Sequence, residues 1–279
     1  MYPTAPIVRA FWFDGIANFG DGLTPWLLRR AGIIPVQSVA SSADIVGVGS
    51  ILEMLPRDFR GAVWGSGSLR GEPIHLPHAR FVAVRGALTR DLVSADADVA
   101  LGDPGILVSR YLRRPGVRAR LGIVPHHMHE DDALWATAAS LEGVTVIDVR
   151  RGPRAVLTDI AQCETVLTTS LHGLITADSF GIPAAWTRRE PDLWGGRFKF
   201  DDYESTITPG RSRFVNIETV KDVMTSSLTA RPVDASVIRR LQDGLLQALY
   251  GLDLDRVAPP RALLGAWHGR NRAGRGADG

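Results

Sequence analysis

Three observations predict an α/β protein folded as two compact lobes with a cleft between them. Short apolar runs alternate with helical segments, the runs end in glycine-rich or polar loops, and a basic, proline-containing stretch near residue 115 interrupts the series. A length of 279 residues fits one large α/β unit or two small ones, and the interruption favours two. With 45% hydrophobic and 22% charged residues the chain has the makeup of a folded protein, so its 29 Gly and 17 Pro mark many short turns rather than disorder.

The first lobe is expected over residues 1–115. Ile7 to Phe13 has the pattern of a buried strand, and after a polar turn from Asp14 to Gly22 a helix carries Pro25, Leu27, Leu28 and Ala31 and ends near Gly32. Asp44 to Val48 and Gly61 to Trp64 are apolar runs punctuated by Gly47, Gly49, Gly65 and Gly67. A strand at Phe81 to Val84, a helix at Ala87 to Val93 and a strand at Val99 to Leu101 follow. The linker is the segment Tyr111 to Arg120, with Pro115 and Gly116. The second lobe, 116–265, takes strands at Leu121 to Val124, Val144 to Asp148, Thr165 to Leu167 and Ala184 to Trp186. Val237, Ile238, Leu241, Leu245 and Leu249 fall at helical spacing and predict a packing helix over 234–250. Residues 266–279 are expected to form a disordered tail.

Charge and cysteine content narrow the class. A formal net charge of +2 gives no general case for nucleic-acid binding. The local clusters Arg110, Arg113, Arg114, Arg118, Arg120 and Arg270, Arg272, Arg275 are read as a solvated turn and a frayed tail, with contact to an anionic lipid surface as the functional alternative. The lone Cys163, the absence of a basic, long-apolar leader and the absence of a membrane-length apolar run lead to an expected cytoplasmic location, with peripheral contact at the inner membrane face left open.

The segment LTTSLHGLITADSFGIP, Leu167 to Pro183, is the most informative. A strand ends in Thr168, Thr169 and Ser170 and a helix begins near Leu171, so hydroxyls and free amides gather at a helix N-terminus suited to an anion. His172 sits in that first turn. The helix dipole favours its neutral form and a bound anion would favour the protonated one, as a proton donor requires. The structural alternative is that Thr169 or Ser170 only caps the helix and His172 packs under a loop.

These residues carry a family resemblance. SLHGLI followed by ADSFGIP is similar to the signature of the polysaccharide pyruvyl transferases. NFGD at Asn18 to Asp21, GVGSIL at Gly47 to Leu52, VWGSGS at Val63 to Ser68, VAVRGALT at Val82 to Thr89, LGDPG at Leu101 to Gly105, GIVPHH at Gly122 to His127 and FKFDDY at Phe198 to Tyr203 occur in the family's order. The chain most resembles the short members that act on bacterial exopolysaccharides. It departs from some members at Ser170, where they carry an arginine two residues before the histidine.

The resemblance implies two Rossmann-like lobes arranged as in GT-B glycosyltransferases. It also implies a transferase that moves pyruvate from phosphoenolpyruvate to a hydroxyl pair of a glycan or lipid-linked oligosaccharide, forming a ketal. No cofactor or metal is expected beyond phosphoenolpyruvate as donor. His172 is the expected acid/base, with Arg85 as anion clamp because its planar fork suits carboxylate or phosphate, and Arg90, Thr169 and Ser170 as further donor contacts. Arg85 could instead make a surface ion pair. His126, at a strand end, is expected to assist proton transfer or hold the acceptor. Asp21 is either a helix cap or a group that binds sugar hydroxyls or acts as base, and Asn18 shares its loop. Trp194, beside Gly195 and Gly196, is the candidate platform for a sugar ring, within an aromatic stretch of poor helical periodicity.

Other readings are weaker. The run His126, His127, His129, Glu130, Asp131, Asp132 invites a metal, but its residues are nearly contiguous and a polar loop accounts for them. The glycine pairs do not complete a dinucleotide fingerprint. A nucleotide-sugar glycosyltransferase and a non-catalytic glycan-binding homologue are the functional alternatives.

Overall fold

The computed structural model describes residues 5–254. The tail at 266–279, with Arg270, Arg272 and Arg275, lies outside them. The first half contains strands β1 (Ile7–Phe11), β2 (Ile34–Gln37), β3 (Ile45–Val46), β4 (Ala62–Trp64), β5 (Arg80–Val84) and β6 (Ala100–Leu101), with helices α1 (Leu23–Arg30), α2 (Ala87–Leu92) and α3 (Val108–Tyr111). The second contains β7 (Ala119–Val124), β8 (Val144–Val146), β9 (Cys163–Thr168) and β10 (Ala184–Trp186). Its helices are α4 (Ala133–Ala138), α5 (Pro153–Ala161), α6 (Leu171–Ser179), α7 (Phe198–Ile207), α8 (Val220–Thr229) and α9 (Ala235–Tyr250).

The strands form two separate parallel sheets, ordered β2-β1-β3-β4-β5-β6 and β10-β9-β7-β8. In both, the first strand of the half pairs with the second on one side and the third on the other, so each has one point where the order reverses. Loops at such a point splay apart and leave a crevice at the carboxyl ends of the strands. In the first sheet these are the loops after β1 and β3; in the second, those after β7 and β9.

Buried aliphatic residues of both halves join in one core, from Val8, Leu23 and Leu27 under the first sheet through Ile106 and Leu107 to Val156, Leu174 and Ile175 under the second. The linker is held at its middle, where Arg114 donates to the carbonyls of Ala161 (3.1 Å) and Cys163 (2.9 Å) as the chain leaves α5. A cation there satisfies acceptors that a helix end leaves open.

Two findings depart from expectation. The packing helix α9, grouped with the second lobe from sequence, rests on β4, β5 and β6 of the first sheet. Ile238, Leu241, Gln242, Leu245 and Leu249 are its buried residues, and Trp64 Nε1 donates to the Leu245 carbonyl at 2.8 Å. The stretch 198–207, read as lacking helical periodicity, is α7. It buries Lys199, Asp202 and Glu204 as well as Phe200, Tyr203 and Ile207, so no apolar stripe marks it.

Helix α7 packs against α2 of the first half, across a polar contact. Asp202 accepts from Arg85 Nε (2.8 Å), the Thr89 amide (2.7 Å) and the Thr89 hydroxyl (2.6 Å). Arg85 also donates to the Ser50 hydroxyl and the Ser68 carbonyl. Arg85 and Asp202 are fully buried, so each charge depends on the other and on these hydrogen bonds.

Candidate active site

The two reversal points face a shared cavity of about 510 Å³. Phe13, Asn18, Asp21, Ser50 and Ile51 line it from the loops after β1 and β3. His126, Ser170, His172, Trp194 and Lys199 line it from the second half. Six residues singled out from sequence are thus brought together: Asn18, Asp21, His126, Ser170, His172 and Trp194.

The second wall begins where β9 ends. Thr168 Oγ1 accepts from the Ser170 amide (2.8 Å) and donates to the Val124 carbonyl (2.7 Å), which turns the chain sharply into α6. Ser170 occupies the cap position without a side-chain cap bond, and the residue after His172 is a glycine because a Cβ there would stand 2.5 Å from Thr168 Oγ1. Capping therefore does not account for Ser170. The N-terminus of α6 opens beside the cavity.

His172 packs its ring edge-on to Phe19. A Cβ at Gly20 would lie 2.0 Å from His172 Nδ1, so glycine is needed at that position to leave room for the ring. Nε2 is buried without a hydrogen-bond partner and lies 3.9 Å from Asp103 Oδ2, which is likewise buried and unpartnered. Burial, then the positive charges of Lys199 and Arg85, push His172 down to about 3, so the ring is neutral while no anion is bound.

Thr169 stands behind the wall. Its Oγ1 accepts from the His126 amide (2.7 Å) and donates to His129 Nδ1 (2.9 Å), leaving His129 Nε2 to donate to the Pro191 carbonyl (2.9 Å). His126 Nδ1 accepts from the Met128 amide at 3.3 Å, which places the proton of the neutral ring on Nε2. Burial first, then Lys199 and the neighbouring histidines, push His126 down to about 2.

Asp21 does not cap α1, whose cap position is Gly22 with no side-chain cap bond. Burial pushes its carboxyl up to about 7, against the opposing pull of Lys199 and a hydrogen bond with Asn18. Asn18 Oδ1 also accepts from the Gly20 amide at 3.1 Å, which ties the loop into a turn. Lys199 is buried, and desolvation followed by repulsion from Arg85 pushes it down to about 8 although Asp21 pulls the other way. Among the described residues its ammonium has no hydrogen-bonding or ion-pair partner. It is thus a cation in the cavity wall, within electrostatic reach of Asp21, His126 and His172.

Two arginines fall elsewhere. Arg85 is fully buried beyond the wall and occupied by Asp202, Ser50 and Ser68, so it neither lines the cavity nor forms a surface pair. Arg90 pairs with Asp91 outside the cavity. The histidine–carboxylate run is dispersed: His129 is tied down as above, Glu130 pairs with Arg150 (2.8 Å), and Asp132 caps α4 and pairs with Arg189 (2.6 Å). Among the described residues no group of three such side chains is placed to hold a metal.

Sequence reasoning missed Lys199, Asp103 and Asp202. Each lies in a quoted segment, FKFDDY or LGDPG, so the available signal was a charged residue beside bulky apolar ones, where charge is costly unless used. At the mouth Trp194 is 78% exposed, beside the partly exposed Ile16, Met54 and Met128.

Comparison with known proteins adds the family. The sequence profile described as "Polysaccharide pyruvyl transferase" matches residues 4–190. The chain is 29% identical over 223 residues to the "Succinoglycan biosynthesis protein ExoV" of Rhizobium meliloti (strain 1021), covering 77% of this chain and 69% of that protein. It is 30% identical over 124 residues to "Uncharacterized protein L143" of Acanthamoeba polyphaga mimivirus, covering 42% of this chain and 43% of that one. Among solved structures, a functionally uncharacterized protein, KP1_0663 of Klebsiella pneumoniae subsp. pneumoniae NTUH-K2044, matches with a TM-score of 0.42 at 15% identity, over 76% of this chain and 93% of that one.

Proposed function

This chain belongs to the polysaccharide pyruvyl transferase family and transfers pyruvyl groups to polysaccharide, and we propose that phosphoenolpyruvate is its donor and a ketal across a glycan hydroxyl pair its product. The observation that carries this reading is the convergence of His172, Lys199 and Asp21 on one cavity. An enol-ether addition needs an anion clamp, a proton donor and a base, and these side chains supply one of each.

In this reading Lys199 and the first-turn amides of α6 hold the donor's phosphate and carboxylate. Lys199 is the cation that Ser170, standing in place of arginine, does not provide. The bound anion raises the proton affinity of His172, which delivers a proton to the methylene carbon. Cationic character then develops at C2, a sugar hydroxyl attacks it, and Asp21 takes the hydroxyl proton. Loss of phosphate and attack by the second hydroxyl, whose proton returns to His172, close the ketal. His126 Nε2–H and Asn18 hold the acceptor, and Trp194 stacks on a sugar ring.

The lobes are assigned as 1–115 for the acceptor and 116–265 for the donor, with α9 lent back to the first. Paired reversal points across one cleft support Rossmann-like lobes in a GT-B-like arrangement. The name of the succinoglycan protein supports an exopolysaccharide unit as acceptor; for a lipid-carried acceptor met at the inner membrane face, the apolar rim Ile16, Met54, Met128 and Trp194 would lie towards lipid. Among the described residues no helix is long and apolar enough to cross a membrane.

The test is incubation with phosphoenolpyruvate and lipid-linked oligosaccharides, following phosphate release and product mass. Phosphate release with a one-ketal mass gain is expected. Thermal stabilisation by a sugar nucleotide and none by phosphoenolpyruvate would turn the reading into a glycosyltransferase. Glycan binding without turnover would leave a binding protein.

A further inference from the structure

We propose that Asp103 is a positioning residue for His172: its carboxylate accepts Nε2–H, fixes the tautomer that leaves Nδ1 without a proton, and stabilises the imidazolium once Nδ1 takes one up. This rests on the reading that His172 moves a proton. It adds the group through which the first half of the chain controls that proton.

Asp103 follows β6 and is fully buried. Its Oδ1 accepts from the Gly105 amide at 2.8 Å, which fixes the carboxyl plane, while Oδ2 has no partner. Facing it 3.9 Å away is the one nitrogen of His172 that is buried and also without a partner. A buried polar atom left unpaired carries its full desolvation cost, and here two complementary ones meet across the boundary between the two halves. Closing the gap to hydrogen-bond length needs about 1 Å of approach. Residues 104–107, directly after Asp103, pack on α6, so a small rotation of the two side chains supplies that movement.

The surrounding charges make the carboxylate consequential. Lys199 and Arg85 both face His172 and oppose its protonation. Arg85, Asp202 and the amides of Gly105 and Gly49 act on Asp103, and burial pushes it up to about 6, so above that pH it is ionised. The ionised group is the anion placed to offset two cations at His172. During turnover the proton passes between Nδ1 and substrate, and Asp103 keeps none of it.

The experiment uses the full chain with ¹⁵N-labelled histidine, the His172 signals being those lost in His172→Gln. In the wild type, neutral His172 is expected as the Nε2–H tautomer. A proton on Nδ1 instead overturns the proposal, with no variant required. Asp103→Asn keeps the Gly105 contact through Oδ1 and is expected to shift the tautomer, lower the titration midpoint of His172, and reduce kcat roughly 10²- to 10⁴-fold while phosphoenolpyruvate affinity changes only a few-fold. Wild-type kcat and an unchanged tautomer in a folded Asp103→Asn overturn it. Should that variant fail to fold, the wild-type tautomer decides. An Nε2–H tautomer in a wild type that releases no phosphate from phosphoenolpyruvate keeps the pairing and removes the pyruvyl reading, so the two failures are distinguishable.

Discussion

The two walls of the cavity come from similar sheet arrangements and differ in what they present. The wall from the loops after β1 and β3 is mostly apolar, with Phe13, Ile16, Ile51 and Met54 around Asn18, Asp21 and Ser50. The wall from the second half carries His126, His172, Lys199 and the N-terminus of α6. A parallel sheet that reverses order makes a crevice whatever its sequence, and the side chains at the strand ends decide its use. The second wall suits a small anion and a proton, the first a larger ligand of mixed polarity. The groups that tune the second wall, Arg85 and Asp103, nevertheless belong to the first half.

The most damaging test of this division is His172→Gln, expected to keep the fold and lower turnover by roughly two to four orders of magnitude, with phosphoenolpyruvate affinity much less affected. Near-normal turnover in the folded variant would remove the second wall from the chemistry. Arg85→Ala comes next. It leaves Asp202 buried without its counter-charge and should cost about 3–5 kcal/mol in denaturant unfolding, since Arg85 acts as the clasp between α7 and the first half. A loss of donor affinity with unchanged stability would show that Arg85 meets the donor directly.

Lys199→Met is expected to weaken phosphoenolpyruvate binding by about one to two orders of magnitude, the worth of a charge-assisted contact. Because Lys199 is lowered to about 8, wild-type donor affinity should fall as pH rises through 8 and the cation is lost, and the variant should lack that decline. Calorimetric titration at several pH values checks both.

On the opposite wall Asp21 must be ionised to act as base, so turnover should rise as pH climbs through about 7, and this acidic limb should vanish in Asp21→Asn. The smallest effect belongs to Trp194→Ala, expected to raise the acceptor KM a few-fold at unchanged kcat. A drop in kcat as large as that of His172→Gln from rim Trp194→Ala would break the division between the walls.

Much of this was legible in the residues, and the exceptions have physical causes. The strands ending at Asp14, Gly47, Gly65 and Thr168 announce their loops because apolar runs stop at polar or glycine positions, and so six of the cavity residues could be named in advance. Strand β2 escaped notice because it is four residues long and contains Pro35. It is an edge strand, where proline is tolerated. Arg85 looked like an anion clamp because its counter-charge, Asp202, lies 117 residues away. Lys199 was hidden in a helix whose buried residues are polar and apolar by turns. Local pattern reports which face of an element is buried, and it does not report pairs made at long range.

The seat of α9 bears on how the chain is made. Synthesis lays down every strand of the first sheet by Leu101, yet the helix that covers β4 to β6 is completed only at Tyr250. At ribosomal speeds that interval is on the order of ten seconds. Throughout it Trp64 has no acceptor in Leu245 and one face of the sheet lacks its cover. The first half therefore emerges as an incomplete body, closed last by the final described helix, and the two lobes reach maturity together.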